Sequence, residues 1–157
     1  MDPSRKKSLK RLCLSLMFLP GLVMWGAYEF LLWLRPEWAF GLYAKREAIA
    51  GLLATFGFTM TGFLAAVITL MFNHYNSIAF FQYRKEGYFE IFLFEYYCAI
   101  LFLLVTCLLA LLCYSGNPLS SILFLCLLVN FCNNIAHIGI ITYIICHLAQ
   151  MAAKETE

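Results

Sequence analysis

Charge is what this chain has least of. Asp, Glu, Lys and Arg make up 13% of its 157 residues, against 63% hydrophobic and 17% aromatic. A typical soluble domain carries about a quarter charged residues, and a chain this short has too much surface per unit volume to hide so much apolar area in a water-facing fold. An ordinary soluble domain is excluded, and the bilayer is the solvent that removes the conflict. Long polar segments are missing too, so no loop has room for a soluble catalytic domain. The chain has no Gly-x-Ser-x-Gly, no His-Glu-x-x-His and no phosphate loop, the local patterns that position nucleophiles, metals and phosphates. It also has no paired membrane carboxylates with a histidine, and no inverted repeat or pair of half-helices of the transporter kind. No enzymatic activity is expected.

Cysteine is present but unpatterned. Cys13, Cys98, Cys107, Cys113, Cys126, Cys132 and Cys146 form no Cys-x-x-Cys, and nearly all sit in apolar runs. Structural zinc needs clustered, regularly spaced ligands, and disulfide frameworks belong to oxidising compartments. These cysteines read as small, buried, free thiols. Haem ligation would need two histidines at matching depths, and His74 and His147 both lie well below His137. No metal or cofactor is expected.

What is present is length and apolarity. A crossing helix needs about 20 mostly apolar residues, and four runs qualify, at approximately 12–34, 49–72, 96–114 and 119–149. The expectation is an all-α integral membrane fold: one domain over residues 1–157, a bundle of four transmembrane helices. Ser115-Gly116-Asn117-Pro118 carries turn chemistry and predicts a tight antiparallel hairpin of the third and fourth spans. Pro20-Gly21 should loosen the first span. The first apolar run is too long for a usual signal peptide and lacks a small-x-small cleavage pattern, so it is expected to stay.

Basic residues set the orientation. Arg5, Lys6, Lys7, Lys10 and Arg11 precede the first span, Arg84 and Lys85 lie between the second and third, and Lys154 follows the fourth; only Arg35, Lys45 and Arg46 fall on the other side. Eight against three predicts a multi-pass inner-membrane protein with both termini cytoplasmic. Trp33, Trp38 and Tyr43 suit an outer aromatic belt, and Tyr75, Tyr83 and Tyr88 an inner one. The connection 73–95 mixes aromatics with Arg84, Lys85, Glu86, Glu90 and Glu95. It is either an interfacial helix lying in the membrane plane or a cytoplasmic projection of two helices meeting near Gly87. Arg84 and Lys85 make it a candidate surface for a cytoplasmic protein partner; nucleic acid is not expected, because a basic cluster beside a hydrophobic span serves topology and anionic lipid.

Polar residues inside the spans carry the sharpest signal. Asn130, Asn133, Asn134 and His137 share one helical face within an arc of about 100° and cover about 10 Å of axis. Lipid does not accept such a face. It is either a glue stripe bonded to neighbouring helices or the lining of a water-filled or ion-conducting path, within one subunit or a homo-oligomer. In the second span Gly57, Thr61, Ala65 and Thr69 recur every four residues, a spacing that permits close helix packing inside the subunit or between subunits. Glu29 lies close enough to the outer end of the first span to reach the interface.

The segments GFTMTGFLAAVIT (57–69) and FFQYRKEGYFEIF (80–92), with the polar fourth span, resemble the small four-helix membrane proteins that accompany bacterial anti-phage systems, including retron, CRISPR-accessory and Kiwa-type membrane partners. The resemblance implies an oligomer that perturbs the inner membrane or reports its disturbance to a cytoplasmic partner. It transfers no individual residue roles. Two functions stand as expectations: a channel-like or membrane-perturbing effector lined by the fourth-span stripe, and a non-enzymatic sensor or anchor acting through 73–95.

Overall fold

A computed structural model describes residues 3–73, 77–114 and 119–154, with six helices and no strand among them. They are α1 (Pro3–Leu34), α2 (Pro36–Ala44), α3 (Arg46–Asn73), α4 (Ile78–Lys85), α5 (Tyr88–Tyr114) and α6 (Ser120–Lys154). Four of them, α1, α3, α5 and α6, are long and apolar enough to cross a membrane. At 1.5 Å per residue, α6 is about 52 Å long, well beyond a hydrocarbon core of about 30 Å.

The α5–α6 pair is the centre of the bundle. These helices pack closely along one another, α3 packs on the outer side of α5, and α1 packs on the outer side of α6. The hairpin of the third and fourth spans is thus present as an antiparallel pair, while its turn at 115–118, like His74 and Tyr75, lies outside the described residues. The basic side chains before the first span, Lys154 and Cys13 are likewise outside what is described.

Two apolar clusters hold the bundle. One joins Leu64, Val67, Met71, Phe80, Phe92, Tyr96, Leu103, Ile141 and Leu148 at the α4 end. The other joins Ala50, Leu53, Ala110, Cys113, Phe124 and Leu127 at the opposite end. The inward face of α3 repeats at alternating three- and four-residue steps, as Ala50, Leu53, Gly57, then Leu64, Val67 and Met71. That spacing lets knobs of one helix enter holes of its neighbour. Gly57 is needed where α3 approaches α5: a Cβ there would come within 2.9 Å of Cys107 Sγ.

Two connections hold more structure than expected. The loop after the first span contains α2, opened by Pro36 with Glu37 in its first turn; proline suits a first helical position, and an acidic side chain suits the positive helix end. Tyr43, at the far end of α2, hydrogen-bonds Ser120 at the start of α6. The 73–95 connection divides at Gly87, whose φ of 84° lies in the left-handed region open to glycine. Before it stands α4, its Phe80 N–H capped by Ser77 Oγ. After it α5 begins at Tyr88, eight residues earlier than the expected start at 96, with Glu90 in its first turn. The third span therefore absorbs residues 88–95, because glycine ends one helix and frees the next to start at once.

Candidate functional site

The fourth-span stripe is buried inside the subunit. Asn130, Asn133, Asn134 and His137 are exposed by 6%, 4%, 0% and 0%, and each meets a neighbouring helix. Three of them face α5. The hydroxyl of Thr106 on α5 donates to the Phe102 carbonyl one turn back, at 3.1 Å. Its oxygen accepts from Asn130 Nδ2 at 2.7 Å and from Asn134 Nδ2 at 2.6 Å. The Phe102 carbonyl also accepts from Asn130 Nδ2 at 2.9 Å. One hydroxyl and one carbonyl of α5 thus anchor two amides of α6 across the central interface.

Asn133 turns the other way. Its Oδ1 accepts from the Gly21 backbone N–H on α1 at 2.8 Å. The approach depends on glycine, since a Cβ at residue 21 would fall 2.5 Å from that oxygen. Pro20, which has no N–H to donate, sits immediately before this contact inside α1. The Pro-Gly pair, inside an uninterrupted α1, falls at the point where the fourth span inserts a side chain.

Sequence reasoning missed two residues of this site, Thr106 and, with larger consequence, Glu95. Glu95 was expected at the end of a cytoplasmic connection; it lies instead on α5, 1% exposed, with Oε1 2.8 Å from His137 Nδ1. A carboxylate within a span thus meets a histidine, a pairing that the sequence reading did not contain. The early start of α5 is the cause: seven residues of helix carry Glu95 past Tyr88 and bring it level with His137. Phe102 packs near the imidazole, with ring centroids 4.9 Å apart. Glu95 Oε2, His137 Nε2 and Asn134 Oδ1 are buried without a protein partner. The arrangement can pass a proton between carboxylate and imidazole, and it places an ionisable pair inside the bundle.

A usable signal existed in the sequence. Glu95 stands 19 residues before the end of α5 and His137 stands 17 after the start of α6. In an antiparallel hairpin with a short turn, those positions face each other.

The other candidates disperse. Gly57 packs on α5, Thr61 bonds back to the Gly57 carbonyl and Thr69 to the Ala65 carbonyl, each within α3. Ala65 and Thr69 face outward, so the four-residue repeat is not one contact face. Arg84 and Lys85 occupy the last turn of α4, with the Arg84 guanidinium 5.9 Å from the Phe81 ring. Phe80 is the residue that docks α4: it is 3% exposed and stacks edge-on against Phe89 at 5.3 Å. Glu29 and His147 face outward. Among the described residues no group of three or more His, Cys, Asp or Glu could hold a metal ion.

Comparison with family models, with curated proteins and with solved structures finds no match.

Proposed function

We propose that the chain is a non-enzymatic membrane anchor or sensor that presents α4 to a cytoplasmic protein. The observation that carries this reading is the build of α4. Its start is capped by Ser77, its inner face is pinned through Phe80, and its outer face leaves Ile78 and Phe81 64% and 55% exposed beside Arg84 and Lys85. A short helix held this firmly while showing apolar and basic groups together suits recognition of an acidic, partly apolar surface. The excess of basic residues on the α4 side supports a cytoplasmic, inner-membrane placement for it.

Mild extraction of the full chain from its membrane should bring down one cytoplasmic protein in a fixed ratio. Arg84→Glu with Lys85→Glu should abolish that association while the bundle keeps its resistance to unfolding. A partner retained by this variant, or no partner for the parent chain, would overturn the reading.

The second reading is an oligomeric channel-like or membrane-perturbing effector, in keeping with the resemblance to anti-phage membrane proteins. It draws on the Glu95–His137 pair, since ionisable groups within spans commonly mark ion or proton paths. It ranks second because Asn130, Asn133, Asn134 and His137 are spent on contacts within one subunit. Ion flux through liposomes holding the purified chain, lost when all four are replaced by leucine in a variant that still inserts, would reverse the order.

A further inference from the structure

Between α1, α5 and α6 the bundle leaves a groove of about 500 Å³, lined among others by Gly21, Trp25, Leu109, Cys126, Asn130 and Asn133. Leu22, Trp25 and Ile122 on its walls are each at least half exposed, so it opens on the lipid-facing side. A volume of this size is in the range that holds a small-molecule ligand.

Its polar groups are two amides. Asn133 Oδ1 is occupied by the Gly21 N–H, which leaves Nδ2 without a protein partner. Asn130 Nδ2 is occupied by Thr106 and Phe102, which leaves Oδ1 without one. Both side chains are more than nine-tenths buried. One donor and one acceptor thus stand three residues apart on the same face of α6, where side chains are neighbours. They lie about 15 to 20 Å from the start of α6 by helical rise, in the bilayer interior. Unmatched polar groups at that depth are costly.

Depth selects the occupant. A phospholipid keeps its polar part at the interface and offers this site only acyl chain. The occupant must be a lipid that dissolves in the bilayer interior and brings one hydrogen-bonding group with it. A ring hydroxyl answers both amides, donating to Asn130 Oδ1 while its oxygen accepts from Asn133 Nδ2. Trp25 adds an aromatic wall for a ring. We propose that this groove binds the ring head of a quinone-class lipid, with its apolar tail leaving toward the bilayer. The quinol form satisfies both amides. The quinone form, which only accepts, satisfies Asn133 alone and binds about ten-fold more weakly, the scale of one hydrogen bond lost at a buried partner.

The test uses the full chain in nanodiscs and a photoactivatable short-tailed quinone, with labelled peptides mapped. Labelling should saturate, fall within 21–25 or 122–133, and be competed by excess short-tailed quinol about ten-fold better than by the matching quinone. A plain alkane of equal length should not compete. Cys126→Trp, which fills the groove from its outward-facing wall, should cut labelling at least ten-fold. If that variant inserts poorly, the folded Cys146→Ser protein alkylated at Cys126 by a bulky maleimide provides the same block. Asn133→Leu should weaken competition by both forms. Labelling that does not saturate or spreads over all spans overturns the proposal. So does equal competition by the alkane, which would mean a bare acyl chain, and so does undiminished labelling after the groove is blocked.

Discussion

α6 meets its two neighbours in opposite ways. Toward α5 it presents Asn130, Asn134 and His137, and the contact is sealed except where Asn130 borders the groove: Thr106, the Phe102 carbonyl and Glu95 answer them in a continuous seam. Toward α1 it presents one asparagine, which reaches one backbone N–H beside an open groove. In hydrocarbon there is no apolar driving force between helices, so association rests on close packing and on bonds such as these. The α5 side has both in quantity and forms the axis of the bundle. Among the described residues the α1 side has apolar packing through Met17, Met24 and Tyr28 but one side-chain bond to α6, and α1 is the least buried of the four spans, 11% against 44% for α6. Adjacent residues, Asn133 and Asn134, serve these two different interfaces because a single step on a helix turns the side chain by about 100°.

This contrast can be broken most severely at the sealed side. Glu95→Leu leaves His137 buried without its partner and should cost about 3–5 kcal/mol of stability, read as unfolding of the detergent-solubilised chain by a denaturing detergent. Adding His137→Leu should restore much of the loss, because replacing both members of a buried pair removes the stranded group. A double variant as unstable as the sum of its singles would show that packing, and not the pair, holds the seam. Thr106→Val comes next. It keeps the shape but strips two asparagines of their shared acceptor, at about 1–3 kcal/mol in the same assay.

On the open side the effects shrink. Gly21→Ala drives a methyl into Asn133 and should cost about 1–3 kcal/mol by overpacking. The loss should fall on α1 alone, seen as faster protease cutting near it while the α5–α6 pair holds. Asn133→Ala, which deletes the bond without adding bulk, should cost about 0.6–2 kcal/mol. A Gly21→Ala, Asn133→Ala double variant should then be milder than Gly21→Ala alone. Smallest of all is Gly139→Ala. A Cβ there meets nothing within 4 Å, so stability should hold or rise by up to about 1 kcal/mol from helix propensity.

How much of this could be read from the sequence follows from which rule each feature obeys. The four spans are legible because length and apolarity alone define them. The stripe on α6 is legible because helical periodicity gathers Asn130, Asn133, Asn134 and His137 on one side. Their division between α5 and α1 is not, since an arc of about 100° is wide enough to touch two neighbours, and which neighbour lies where is a matter of packing. Glu95 was hidden by a boundary. The charges at 84–95 blur the point where a connection ends and a span begins, and hydropathy places a carboxylate in the loop by default. α2 escaped notice for a similar reason, as its Pro36 and Glu37 are sound helix-start signals inside a stretch already explained by an aromatic belt. The exposed positions of Ala65 and Thr69 were within reach but overlooked, because a four-residue repeat drifts by about 40° a step around a helix of 3.6 residues per turn.

Thr106 has a consequence of another kind. A hydroxyl that gives its one proton to the Phe102 carbonyl has only lone pairs left for α6, so both asparagines must point nitrogen-first toward it. The position of a single hydrogen atom on α5 therefore sets the sense of two amide dipoles on the opposite helix. It also decides which of their atoms is turned away: oxygen in each case, toward the groove at Asn130 and toward the bundle interior at Asn134. Serine at 106 would keep this directional order and cysteine, a weak donor and acceptor, would blur it. What looks like a point of adhesion between two helices is also an instruction about handedness of hydrogen bonding, written by one side chain and obeyed by its neighbours.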